Sequence, residues 1–154
     1  MYIWNIESLK EDIKSGRLTE KDRFIYMFLT LIFTVLSIEL ALRIPVEPGN
    51  VWDTISSLSS ALFPILGTFL AYRANGADNG TDFLGRYFSI SFVVTVRFFA
   101  LLIPMFVLLF AYYMLVIPEN AALVSTASDT LPFVAWQGLL YYQVVKHVGA
   151  VKHS

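Results

Sequence analysis

Four ionisable residues stand within or beside apolar runs, where a charge needs either a partner or access to water: Arg97, Glu39, Arg43 and Asp53. Their chemistry would be ion pairing between helices or, for an embedded carboxylate, the coupling of a proton or solute to transport. Arg97 is the sharpest case, being the only charged residue from Tyr87 to Ile117. An arginine at the centre of a bilayer costs at least roughly 2.5 kcal/mol on the mildest insertion scales. Glu39 and Arg43 are four apart and share a helical face, where an ion pair lowers the cost of both, and Asp53 is placed to join them. The ordinary reading of these three is a partly solvated structural cluster, because such groups reach the interface. The functional reading is an outer vestibule for ions or a small solute.

Two placements of Arg97 are open. A span starting near Tyr87 puts it about 15 Å along the axis, with Glu39 as the candidate partner. A span from Phe98 to Ile117 has 20 residues and no charge, close to the length that the hydrocarbon requires. Arg97 then sits at the interface and snorkels. The second placement needs no unseen partner and is preferred. It predicts an interfacial helix over about 82–96, with Asp82, Gly85, Arg86 and Ser89 on its polar side and Phe83, Leu84, Tyr87, Phe88 and Phe92 meeting lipid or other helices.

Small residues recur between Trp52 and Tyr72: Ser56 and Ser60 are four apart, as are Gly67 and Ala71. This spacing suits close helix packing, with a hydrated pore lining as the rival reading. Pro64 and Gly67 also permit a kink. The connection that follows reads Asn75-Gly76-Ala77-Asp78-Asn79-Gly80-Thr81-Asp82 and is flanked by Arg73 and Arg86. Its two Asn-Gly pairs predict tight turns. Asp78 and Asp82 are hard ligands without calcium-loop spacing, and no phosphate-loop pattern is present. Asn75, Asp78, Asp82 and Arg86 are therefore read as a partner-docking loop.

No catalytic constellation emerges. The chain has no cysteine, which excludes thiol catalysis, disulfides and cysteine metal sites. His147 and His153 near the C-terminus form no zinc-protease motif, and no serine stands in a nucleophile elbow. Neither a metal nor another cofactor is expected.

The elements that must position these residues follow from composition. Of 154 residues 56% are hydrophobic and only 15% charged, which is the balance of a membrane protein. A formal net charge of -1 and the absence of a basic run argue against nucleic acid as a partner. Spans are predicted at about 24–43, 52–73, 98–117 and 131–147; the fourth is short and carries Gln137. Lysines and arginines alternate between connections: Lys10, Lys14, Arg17, Lys21 and Arg23 precede the first span, Arg73 and Arg86 lie between the second and third, and Lys146 and Lys152 follow the fourth. The other two connections contain neither residue, so both termini are placed in the cytoplasm. Tyr26, Tyr112 and Tyr113 are assigned to interfacial belts. Ile6, Leu9 and Ile13 recur at helical spacing and predict a short amphipathic helix within residues 1–18, lying on the membrane surface or packed on the bundle. Gly16 stops it, and Thr19 with Asp22 caps the first span.

The sequence thus predicts an all-α polytopic membrane protein, a four-transmembrane-helix bundle in one domain over 19–154 behind the N-terminal segment. The expected function is a non-enzymatic subunit of a bacterial inner membrane that self-assembles as a homo-oligomer and anchors or signals to a cytoplasmic protein partner. The alternatives are a small oligomeric channel or permeabilising effector, and a small solute- or proton-coupled transporter.

Overall fold

The structure, a computed structural model, describes residues 1–41, 49–116 and 125–152. Arg43, His153 and most of the two connections that lack lysine and arginine lie outside the described residues. Within them the chain is all-helical: α1 (Ile6–Lys14), α2 (Glu20–Ala41), α3 (Val51–Ala74), a 3-10 turn at Ala77–Asn79, α4 (Phe83–Val116) and α5 (Ala127–Gly149). Three of these, α2, α3 and α4, are long and apolar enough to cross a membrane.

Local chemistry sets the ends of the helices. Asn5 caps α1 by accepting from the Ser8 amide, and Gly16 turns the chain at φ +68°. Thr19 and Asp22 exchange side-chain-to-backbone hydrogen bonds at the start of α2, as their spacing predicts. Asn50 and Asp53 form the corresponding box at α3. At α5, Asp129 accepts from the Thr126 amide at 3.0 Å.

One expected boundary is not found. In place of an interfacial helix ending near 96 and a separate span from Phe98, α4 is a single helix of 34 residues. No glycine, asparagine or proline interrupts residues 86–103, so nothing in the local chemistry breaks the helix beside Arg97. Such a helix is about 51 Å long, well beyond the roughly 30 Å of a hydrocarbon core. Its two halves also differ. Ser89, Ile90, Phe92, Val93 and Val94 are buried, whereas Leu101, Ile103, Phe106, Val107, Leu108 and Phe110 are exposed.

α3 and α5 pack along each other, α2 lies on α4, and α4 joins the pairs by contacting α5. The Phe98 and Trp136 rings meet edge-on at 4.9 Å across the α4–α5 seam. The core gathers where α1 enters this arrangement: Ile6, Leu9 and Ile13 bury against Ile90, Val93, Val144 and Val148. Burying three aliphatic side chains stabilises the docked arm by about 1.5–3 kcal/mol each as an upper bound.

Candidate functional site

Arg97 lies half-buried on α4, and its guanidinium carbon sits 5.6 Å from the centre of the Trp4 ring. The indole face offers the charge a partner that no sequence spacing pointed to. Trp4 lies just before Asn5, the cap of α1, so this contact holds the N-terminal segment against the middle of α4. The same segment is tied at two further points. Tyr26 accepts a hydrogen bond from the Tyr2 amide at 2.6 Å and donates to the Tyr2 carbonyl at 2.9 Å. The Tyr2 hydroxyl donates to Asp12 at 2.9 Å, and Arg17 bridges the same carboxylate at 2.8 Å. These two donors hold the Asp12 carboxyl below the usual carboxylate range. Glu7, paired with Lys10 at 2.7 Å, is lowered chiefly by that hydrogen bond.

Tyr26 is consequently not an interfacial belt residue. It is fully buried beside Phe92, with ring centres 5.7 Å apart. Its hydroxyl is satisfied by backbone rather than by the membrane surface, as a buried phenol requires. Tyr112 is exposed on α4, and the side chain of Tyr113 lies outside the described residues.

The connection between α3 and α4 folds around Arg86. This arginine is 4% exposed and donates to Asn75 Oδ1 at 3.3 Å, the Val151 carbonyl at 3.0 Å and Thr81 Oγ1 at 3.2 Å. Asn75 is itself fully buried and donates to the Thr81 carbonyl. Arg86 and Ser89 therefore face the interior, so two residues of the stripe expected to look outward look inward instead, while Asp82 remains exposed. The physical reason is that the planar guanidinium finds three acceptors there, two in the α3–α4 connection and one after α5. Gly76 takes φ +111°, as its Asn-Gly pair predicts. Gly80 does not; it is needed because a Cβ there would come 2.6 Å from Asn75 Nδ2. Of the four residues assigned to docking, only Asp78 and Asp82 are exposed, and both are engaged. Asp78 accepts from the Tyr72 hydroxyl, and Asp82 pairs with Arg23 at 3.1 Å, tying the start of α4 to α2.

The polar residues of α3 divide by role. Asp53 accepts from the Asn50 amide at 2.8 Å and the Ser125 hydroxyl at 2.6 Å, joining the starts of α3 and α5. Ser59, which the small-residue spacing did not single out, is the buried serine, and it donates back to the Ser56 carbonyl. Ser60 accepts from Gln137 Nε2 at 3.0 Å. Gly67 is buried against the ring of Tyr141, with no room for a Cβ. Pro64 lies half-buried within the helix. Glu39 lies on the exposed far portion of α2.

Every α2 residue from Leu31 to Ala41 is exposed, and along this stretch a cavity of about 1020 Å³ opens between α2, α4 and α5, with Ser60 of α3 on its wall. Its lining among the described residues is aromatic and aliphatic with a scatter of hydroxyls and no charged side chain. Thr30, Thr34 and Ser37 donate back to carbonyls of their own helix. Ser91, facing them on α4, has a buried hydroxyl with no protein partner. Sequence spacing missed this cavity because its polar residues are spread over three helices.

No known protein family, curated protein or solved structure matches this chain.

Proposed function

We propose that the chain is a non-enzymatic integral membrane subunit of a bacterial inner membrane that self-assembles and anchors or signals to a cytoplasmic partner. In this reading it is a four-span bundle in which α5 is the fourth span, the N-terminal helix is an amphipathic arm, and both termini are cytoplasmic. Arg23, Arg73, Arg86 and Lys152 then fall on the cytoplasmic side, in keeping with the bias of lysine and arginine toward that side.

The observation that carries the self-assembly reading is the unequal packing of α4. One half is embedded in the chain's own core, and the other exposes large apolar side chains that nothing within the described chain covers. Tilt relieves part of the mismatch between a helix of about 51 Å and the bilayer. Packing against a second copy covers the remainder by van der Waals contact. The docking surface is the exposed mixed-charge face of α1, with Glu7, Glu11 and Lys14, together with the exposed Asp78 of the α3–α4 connection.

Because the chain lacks cysteine, a single Leu108→Cys substitution gives a clean test. Oxidation in native membranes yields disulfide-linked dimers in this account; a persistent monomer from Leu108→Cys and from each neighbouring exposed position contradicts it. For docking, a soluble protein co-purifies and is lost on charge reversal at Glu11 and Asp78. Retention after both reversals removes that surface. Pore formation through α3 has weaker support, because Ser59 and Ser60 are each engaged in a hydrogen bond within the chain.

A further inference from the structure

The cavity between α2, α4 and α5 is large, apolar and bordered by the exposed part of α2. The α4 residues on its wall run from Tyr87 to Phe99, about 18 Å of helix rise. At about 1020 Å³ it is large enough for a chain-bearing small molecule. Its walls come from α2, α4 and α5 with Ser60 of α3, and among the described residues no charged side chain lines it, so none of them would pair with a charged group in the interior.

Among the polar groups of the described wall, one is both buried and without a partner. The Ser91 hydroxyl is buried and unpartnered, while Thr30, Thr34 and Ser37 on the facing wall have used their protons on their own helix. A buried hydroxyl without a partner costs free energy that a bound oxygen would recover. The occupant therefore needs a long apolar body and an uncharged oxygen able to hydrogen bond.

We propose that this cavity binds the hydrocarbon chain of a neutral, single-headed lipid taken from the bilayer, a monoacylglycerol-like amphiphile whose hydroxyl or ester carbonyl meets Ser91. The site lies where α2 stands away from its neighbours, so the chain enters sideways from the bilayer. The inference rests on the membrane reading of the chain and goes beyond assembly and anchoring.

The test uses the full chain in phosphatidylcholine nanodiscs carrying a diazirine-tagged monoacylglycerol, with labelled positions mapped after photolysis. Label is expected to concentrate on residues 30–41 and 87–99. It is lost when Thr34→Phe and Ser37→Phe fill the cavity from the exposed α2, which leaves the core intact. Untagged monoacylglycerol competes for the site, and a fatty-acid anion of equal length does not. In Ser91→Ala the advantage of monoacylglycerol over a plain hydrocarbon disappears; an undiminished advantage overturns the headgroup assignment. Label spread evenly over outward positions such as Leu101, Phe106 and Leu108, and unchanged by the filling variants, is an ordinary lipid annulus and overturns the site. An alkaline carbonate wash of the source membranes separates the two levels of failure. Release of the chain sinks the membrane reading, whereas a retained chain with evenly spread label sinks the cavity alone.

Discussion

The guanidinium of Arg97 lies 5.6 Å from the ring centre of Trp4, so the charge embedded in the longest apolar run of the chain is met by an aromatic face from its N-terminal segment. This contact makes Arg97 a docking point for the arm that precedes α1. It also explains how an unbroken α4 tolerates the charge: the arginine is half-buried against protein rather than facing hydrocarbon alone.

Trp4→Ala should loosen the N-terminal arm by about 1 kcal/mol, the size of a partly desolvated cation–π contact. Hydrogen exchange over residues 2–14 checks this, and Arg97→Leu should produce a similar loosening. In a double-mutant cycle the two changes should be strongly non-additive. Simple additivity would mean that the ring and the charge act separately.

Replacing Arg86 should be among the most damaging single changes. Arg86→Leu removes the donor that the buried Asn75 side chain and the Val151 carbonyl accept from, and each buried acceptor left unpaired costs about 1–3 kcal/mol. Arg86→Lys should recover little, because an ammonium group cannot reproduce the planar fork. Thermal unfolding in detergent and protease sensitivity of the C-terminus provide the readouts; wild-type values for Arg86→Lys would refute the geometric argument.

At Gly67, even alanine drives a Cβ into the Tyr141 ring. Overpacking of this kind costs about 1–3 kcal/mol. Gly67→Ala should therefore unfold at lower denaturant concentration, and adding Tyr141→Ala should return part of the loss by making room. If Gly67→Ala is neutral, α3 and α5 do not approach as closely as described.

The attachment of the arm should also depend on pH. The folded-state pKa of Asp12 is depressed, with Tyr2 and Arg17 as the main causes. Its contribution is thus present above the unfolded carboxylate value of about 3.9 and is lost as pH falls through the lower folded value. Protection of residues 2–14 against hydrogen exchange, taken relative to the intrinsic rate at each pH, should fall below about pH 4, and Asp12→Asn should bring that weaker protection to neutral pH. A flat pH profile in the wild-type chain would exclude the contribution.

The apolar runs were legible because length alone marks a helix able to cross a bilayer: α2 and α3 fall close to where composition puts them, while α4 contains the third run but starts at Phe83, well before the expected Phe98. The helix starts at Thr19 and Asn50 were also written in short-range chemistry, although Asn50 was identified only in the structure. The inward-facing residues were not legible. In a water-soluble protein the buried face of a helix is the apolar one, but lipid is as apolar as a protein core, so hydrophobic periodicity does not separate the two sides of α4. That is why Tyr26, Arg86 and Ser89 were expected at surfaces and lie inside. The contacts that hold them join residues far apart in sequence, Tyr2 with Tyr26 and Arg86 with Val151, and no local spacing encodes such pairs. Among the small residues of α3, spacing identified Gly67 as a point of close packing and passed over Ser59, which carries no signal beyond its neighbours.

The most direct test of a self-assembling, partner-anchoring membrane subunit is the mass and composition of the complex extracted intact from its native membrane. The account predicts a whole-number multiple of the single-chain mass, two copies or more, with a stoichiometric soluble protein that dissociates when Glu11 and Asp78 are reversed in charge. A single chain surrounded only by lipid and detergent would contradict it.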